Sequence, residues 1–189
     1  MPASALSTQP PSIRRATAAD IPLLRDMAER TWRQCYAAIL SPEQMDYMLS
    51  RMYALDVIAR EMTDGVIWEM AIEDEVPVGF HSCAFDSADQ SLKLHKLYVL
   101  PNAQGLGFGQ ALLARVRALA AALTARKIWL QVNKNNAAAI RAYERAGYSV
   151  ERAAVFDIGG GFVMDDFIMA LAIHEAAPLS AKDAAPVGT

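Results

Sequence analysis

The chain has 189 residues, 53% of them hydrophobic, with 21 acidic and 18 basic side chains and a formal net charge of -3. That length and apolar share suffice to bury one core without staples, so a single domain is expected. The faintly acidic balance excludes a footprint for nucleic acid or an anionic membrane, and the two widely spaced thiols, Cys35 and Cys83, read as buried side chains rather than a disulfide framework or a zinc site.

The ends read as tails. Residues 1–12 are rich in Pro, Ser and Ala, and 174–189 in Ala and Pro, which leaves 13–173 as the folded part. The first segment lacks the basic start and apolar stretch of a secretory leader, and no run approaches the roughly eighteen apolar residues of a membrane span, so a cytoplasmic protein is expected. A short strand at 13–16 precedes a helix opened by Thr17 and Asp20 that runs through Trp32 and buries Ile21, Leu24, Met27 and Ala28. Ser41-Pro42-Glu43 starts a second helix through Met48, and Leu55 to Met62 continues helically. After Asp64-Gly65 the period becomes extended: Val66 to Ile72 and Val78 to Phe85 form a hairpin around the charged turn 73–77. A strand over 92–100 follows, then a glycine-rich loop, a helix with Leu112, Leu113, Val116, Leu119, Ala120 and Leu123 in phase, a strand over 127–132 and a helix over 137–146. Two closing strands, 149–158 and 162–173, meet at Gly159-Gly160-Gly161. This order implies a mixed, mostly antiparallel α/β sheet with helices on both faces, because parallel neighbours need a crossover.

The loop Gln104-Gly105-Leu106-Gly107-Phe108-Gly109 is the most informative stretch. It lies between a strand and a helix, where free amides and the helix dipole receive phosphate oxygens. Its spacing fails the dinucleotide fingerprint, because Gln110 and Leu112 stand where the third glycine belongs, and it fails the Walker loop, because no Lys-Ser or Lys-Thr follows. It fits Q-x-x-G-x-G. A Cβ at Gly107 or Gly109 is expected to push a phosphate away or forbid the backbone angle.

With Lys96 to Pro101 before that loop, Lys127 to Asn133 after it, and an N-x-x-A-x-x-x-Y-E-x-x-G block from Asn136 to Gly147, the chain resembles the GNAT superfamily of N-acetyltransferases over about residues 13–173, most strongly over 94–148. The resemblance implies a GNAT-like sheet whose strands 94–100 and 127–132 splay apart at an acetyl-CoA site, with no metal. It implies that the amides of Gly105, Leu106, Gly107, Phe108, Gly109 and Gln110 hold the pyrophosphate, with Gln104 where the family has Arg or Gln. Backbone groups of Leu97, Tyr98 and Val99 would pair with the pantetheine arm, a thioester oxygen would receive an N–H near Tyr98 or Val99, and Asn136 would bind the arm. An N-cap for helix 137–146 is an equal reading of Asn136. Tyr143 is implied as the general acid for the leaving thiolate, while Tyr148 packs on the sheet.

The reaction implied is direct attack of a primary amine on the thioester through a tetrahedral intermediate, with no covalent acyl-enzyme. An alkylamine is protonated at pH 7, so losing its proton costs roughly 4 to 5 kcal/mol and some group must accept it. Where several family members have a Glu on the strand before the loop, this chain has Ser91-Leu92-Lys93-Leu94-His95-Lys96. His95, in strand parity with Leu97 and Val99, is one acceptor; His81, Glu69, Glu73 and the pair Asp165 and Asp166 are others for proton removal or amine binding. Trp32 and Tyr36, four apart on a helix, share a face directed toward the acceptor, whereas Trp68 reads as core. The last strands also resemble those of small-amine and polyamine acetyltransferases. A small-molecule amine is therefore the expected acceptor, with a protein or peptide amine and a non-catalytic acyl-CoA sensor as alternatives, and a homodimer is expected from the family.

Overall fold

The computed structural model describes residues 11–173; most of the two expected tails lies outside them. In chain order the elements are β1 (Ser12–Arg15), α1 (Ile21–Cys35), α2 (Pro42–Met52), α3 (Leu55–Thr63), β2 (Ile67–Glu73), β3 (Val76–Asp86), β4 (Ser91–Val99), α4 (Phe108–Ala122), β5 (Lys127–Asn133), α5 (Ala137–Arg145), β6 (Ser149–Gly159) and β7 (Phe162–Ala172). The strands join in one sheet ordered β1-β2-β3-β4-β5-β7-β6. Every neighbouring pair is antiparallel except β4 and β5, which the crossover through α4 makes parallel. The mixed α/β architecture read from the sequence is the one observed.

Local chemistry explains most boundaries. Ser41 accepts the Gln44 N–H at 3.2 Å and Pro42 occupies the first turn of α2. Asp20 accepts the Thr17 N–H at 2.8 Å and a two-pronged bond from Arg14, fixing the entry to α1. The β2–β3 turn is shorter than expected: Asp74 and Glu75 adopt φ of 46° and 67°, closing a two-residue hairpin, so Val76 and Pro77 belong to β3 and Glu73 ends β2 away from any site. Helix α2 runs on to Met52, because Met48 and Leu49 continue its buried stripe.

Helices α1 to α3 cover one face of the sheet over Leu24, Met27, Trp32, Met48, Ile58, Trp68 and Phe80. The other face packs α4 and α5 on Leu113, Val116, Ile128, Leu130, Tyr148 and Met169. Cys83 is buried there, its thiol pushed up to about 12 by burial, whereas Cys35 is only half-buried.

The decisive irregularity is in β4. Ser82 pairs with Lys96, but Cys83 pairs with Leu94, so His95 has no partner and forms a β-bulge. The parallel pairing of β4 with β5 covers Ser91 to Leu94 and stops there. The bulge also resets side-chain parity. Leu92, Leu94, Leu97 and Val99 all pack on the α4 face, while Lys96 and Tyr98 turn to the α1–α3 face. His95 therefore does not share the orientation of Leu97 and Val99 that simple alternation predicts.

Beneath α4 lies a buried polar cluster. Glu69 and His81 are register partners with relative exposures of 3% and 0%, joined at 3.1 Å, and the Arg115 fork from α4 bonds both Glu69 oxygens at 2.8 Å. Burial alone raises the Glu69 pKa, but Arg115 and His81 outweigh it and hold the group down to about 2. Because the folded value lies below the ordinary one, its stabilising contribution is full above about pH 5 and is lost as pH falls through 2. Arg115→Met should lower stability by about 2 kcal/mol at pH 7 and move the acid limb of unfolding upward, read as urea midpoints from pH 2 to 7.

Candidate active site

The gap opened by the bulge is lined by backbone. Leu100 N–H donates to Val78 O at 2.8 Å, and the ladder continues with Tyr98 on Phe80 and Lys96 on Ser82. Bonded pairs alternate along an antiparallel ladder, so the N–H and C=O of Leu97 and Val99 face the opposite edge, where β5 has withdrawn. The Val99 carbonyl accepts from Gln104 Nε2 at 3.0 Å, which leaves Leu97 and the Val99 N–H to receive a ligand. The Tyr98 N–H is committed to Phe80; among the sequence candidates for an oxyanion donor, Val99 is the one aimed into the gap.

At the end of this edge the chain enters the glycine loop. Gly105 and Gly107 have φ of 80° and 92°, and Gly107 is the left-handed residue from which α4 starts. A Cβ at Gly107 meets no protein atom within 4 Å, so glycine is required there by backbone angle and by nothing in the protein that fills the space. Gly109 has ordinary helical geometry, and only its open approach suits a ligand. Leu106, Gln104 and Gln110 are exposed, while the Phe108 side chain is buried under α4 and offers the loop only its backbone. Asn136 caps α5 by accepting the Ala139 N–H at 3.2 Å and simultaneously lines the groove. Tyr143, half-buried edge-on to Tyr148 with centroids 5.8 Å apart, lines the same groove of about 500 Å³, as do Cys35 and Arg145. Burial raises the Tyr143 phenol above its ordinary pKa, so it stays protonated.

A second cavity of about 280 Å³ lies across the gap, between α1 to α3 and strands β4, β5 and β7. Leu94, Tyr36, His95, Lys96, Tyr98, Gln131 and Val132 line both spaces, so the two meet at the point where β4 and β5 part. Tyr36 stacks on Trp32 at 4.8 Å and its hydroxyl neighbours Asn136 and Tyr98. His95 reaches the cavity surface; burial first, then Lys93 and Lys96, push its pKa down to about 4, which makes it neutral at pH 7 but a weak proton acceptor.

Asp166 is fully buried on this cavity wall, and neither carboxylate oxygen has a hydrogen-bond partner among the described residues. Burial, then the charge of Asp165, raises its pKa to about 6, with Lys134 opposing. Its sequence neighbour Asp165 points the other way and pairs with Lys134, and His81 lies beneath α4 with Glu69, so neither stands in the cavity. Period-two alternation separates Asp165 from Asp166 and could have chosen between them.

Several side chains of this cavity carry no motif. Lys96, with 4% exposure, donates to both oxygens of Glu61 at 2.8 and 2.9 Å and sits over the Trp68 ring at 4.8 Å. Behind the lining residues Met48, Arg51 and Met164, α2 is clamped to the β6–β7 hairpin: Tyr47 donates to Ile158 O at 2.8 Å and Gln44 to Val163 O at 2.9 Å. A Cβ on Gly160 meets the Tyr47 ring at 2.8 Å and its φ is 65°, so the glycine triplet is a turn packed on Tyr47.

The groove's fit to a nucleotide thioester rests on three of these features: the angle-demanding glycine turn at a helix start, the open amides of Leu97 and Val99, and a continuous path to a second cavity. The chain belongs to the acetyltransferase (GNAT) family, whose model matches residues 24–148. It is an acetyl-CoA-dependent N-acetyltransferase. An N-acetyltransferase of Mycobacterium tuberculosis, itself uncharacterized, is 26% identical over 146 residues, covering 77% of this chain and 93% of the relative. The streptothricin acetyltransferase of Streptomyces lavendulae is 32% identical over 71 residues, 38% of each protein. The PaiA N-acetyltransferase of Thermoplasma acidophilum, solved in complex with coenzyme A, has the same fold with a TM-score of 0.74 at 22% identity, over 87% of this chain and all of that one. The resemblance of the last strands to polyamine enzymes finds no support among these relatives. Among the described residues no helix is long and apolar enough to cross a membrane.

The burial of Asp166 has a measurable cost. A folded pKa raised to about 6 means that its contribution to stability is full below about pH 4 and is lost as pH rises through 6. Asp166→Asn should therefore raise stability at pH 8 by on the order of 3 kcal/mol, read as a higher melting temperature, and leave it unchanged at pH 4.

Proposed function

We propose that the protein acetylates the primary amine of a small molecule held in the cavity beneath α1 to α3, with Asp166 receiving the ammonium and Tyr143 acting from the opposite side of the gap. The observation that carries this reading is Asp166, a buried carboxylate without a hydrogen-bond partner among the described residues, on the wall that meets the cofactor groove. A charge in that state costs several kcal/mol unless a cation answers it or a proton neutralises it. An acceptor ammonium does the first, and passing its proton to Asp166 does the second.

Acetyl-CoA supplies the activated acyl group. The turn at Gly105 to Gly109 would hold its pyrophosphate, Leu97 and the Val99 N–H would orient the arm, and Asn136 would border it. Tyr143 keeps a proton on Oη for the leaving sulfur. Asp166 outranks His95 as the proton acceptor because a group with pKa near 6 binds a proton about a hundredfold more tightly than one near 4. The clamp between Tyr47, Gln44 and the β6–β7 hairpin favours a small acceptor over a polypeptide segment.

Tyr143→Phe should lower kcat by one to two orders of magnitude with the KM for acetyl-CoA within about threefold; an unchanged kcat removes Tyr143 from the chemistry. Gly107→Val should instead raise the acetyl-CoA KM. For Asp166→Asn, loss of the limb near pH 6 in kcat/KM is expected, while His95→Gln keeps it.

A further inference from the structure

We propose that the Tyr36 hydroxyl donates a second hydrogen bond to the thioester oxygen as it becomes an oxyanion, the first coming from the Val99 N–H. The assignment rests on the roles proposed above for Asp166 and Tyr143.

The backbone alone leaves that oxygen short of donors. Along β4 the Tyr98 N–H is spent on Phe80, and with Leu97 given to the arm the gap offers the Val99 N–H. One neutral donor answers only part of a charge that grows on oxygen when the amine attacks, and a tyrosine hydroxyl is among the side chains able to supply another.

Position selects Tyr36. Direct attack fixes the order of the reacting atoms: the amine on the side of Asp166, the leaving sulfur beside Tyr143, and the carbonyl carbon between them, where the two cavities meet. Tyr36 lines both cavities, and its hydroxyl neighbours Asn136, which borders the arm. Burial raises the Tyr36 pKa and the charge of Asp166 adds to the rise; burial likewise raises that of Tyr143, and Tyr36 adds to it. The phenol therefore stands within electrostatic reach of both ends of the reaction and keeps its proton at neutral pH. Two other shared side chains are already engaged, Lys96 with both Glu61 oxygens and Tyr98 against Phe80 and Tyr53. His95 and Gln131 are the rivals.

The setting holds the donor still. The Tyr36 N–H closes α1 on Trp32 O at 2.9 Å, its carbonyl receives the N–H groups of Ile39 and Leu40 at 2.9 Å, and its ring lies on buried Trp32 with planes 24° apart. Asn136 turns its Oδ1 to the Ala139 N–H and opposes the rise in the Tyr36 pKa, as an amide N–H beside the phenol oxygen does, so the phenol's own proton is left for the substrate. In the reaction the amine nitrogen bonds to the carbonyl carbon and the C=O pair moves onto oxygen. As the pair returns, the C–S bond breaks, sulfur takes the Tyr143 proton and the amine's proton passes to Asp166. Tyr36 keeps its proton and contributes a hydrogen bond that strengthens with the charge on oxygen.

The first test needs no acceptor: the infrared carbonyl stretch of bound acetyl-CoA, isotope-labelled at the carbonyl carbon. A donor on oxygen lowers the stretch, so Tyr36→Phe should raise it. Tyr53→Phe, which removes a hydroxyl without a hydrogen-bond partner among the described residues from the same aromatic cluster, should leave it in place. No rise in Tyr36→Phe with acetyl-CoA bound, or an equal rise in His95→Leu or Gln131→Leu, overturns the inference. If Tyr36→Phe does not bind acetyl-CoA, the wild type decides: a bound stretch below that in water supports two donors, and one at or above it overturns them. Turnover of n-alkylamines and diamines, read as free thiol, separates this inference from the reading beneath it. There kcat should fall about 100-fold in Tyr36→Phe with the acetyl-CoA KM within about threefold, and an unchanged kcat overturns the inference. Silence of the wild type on every small amine, with the stretch still dependent on Tyr36, overturns the small-molecule reading and leaves the Tyr36 donor standing.

Discussion

One extra residue in one strand organises this molecule. By taking His95 out of register, β4 bends away from β5 after Leu94 and the two parallel strands separate. A sheet interior ordinarily has no free backbone groups, because each costs free energy to leave unpaired. Here the unpaired amides lie where an extended ligand can act as the missing strand. The same slip turns Lys96 and Tyr98 toward α1 to α3 and keeps Leu97 and Val99 under α4. Without it, the apolar residues beyond His95 would face the wrong layer. Ligand binding and core packing therefore depend on the same irregularity.

The helices treat the two sides of the gap differently. Helices α4 and α5 present backbone termini, where a glycine at positive φ and an Asn cap leave amides exposed. Helices α1 to α3 present side chains, among them Trp32, Met48, Arg51 and Glu61, and close the other cavity. Trp32, Tyr36, Tyr53 and Tyr98 form one contiguous aromatic cluster beneath it. Rigid rings bury area with little loss of rotamer freedom and hold the charged groups among them in place. Lys96 shows what such a wall does to a charge. It survives at 4% exposure because Glu61 neutralises it and two rings lie beside it, even though burial pulls its pKa down.

The candidate donor side is more legible in the chain because its determinants are local. Gln104, Asn136 and Tyr143 come to one groove and Gly107 to a helix start through backbone angle, helix cap and helix face, all of which show in spacing. The acceptor side is much less so. Glu61 and Lys96 are 35 residues apart, and Tyr47 is 111 from the carbonyl it binds, so only the docking of α2 and α3 on the sheet brings them together. His81 illustrates the opposite error. A histidine in a strand next to the site invites a chemical role, but β3 turns it toward α4, where Glu69 and Arg115 enclose it. Alternation misleads at His95 for a different reason: a bulge is invisible to a period-two count, and its signal here is only that Lys96 cannot follow Leu92 and Leu94 into the core.

Asp166 and Glu69 make the distinction between structural and chemical carboxylates concrete. Both are buried on this sheet, and burial acts on both in the same direction. Glu69 is answered by a bidentate guanidinium and an imidazole, so its pKa falls and the cluster joins β2, β3 and α4. Asp166 receives no hydrogen bond from the described residues, and burial outweighs the distant pull of Lys134, so its pKa rises toward neutrality. Evolution of a stable fold alone has a simple remedy for such a group, since an amide or apolar side chain of similar size removes the penalty. A carboxylate left in that state, on the wall of a cavity that meets the groove, is what the proposed acceptor ammonium would answer. On that reading, stability in the absence of acceptor and reactivity in its presence draw on the same unpaired charge.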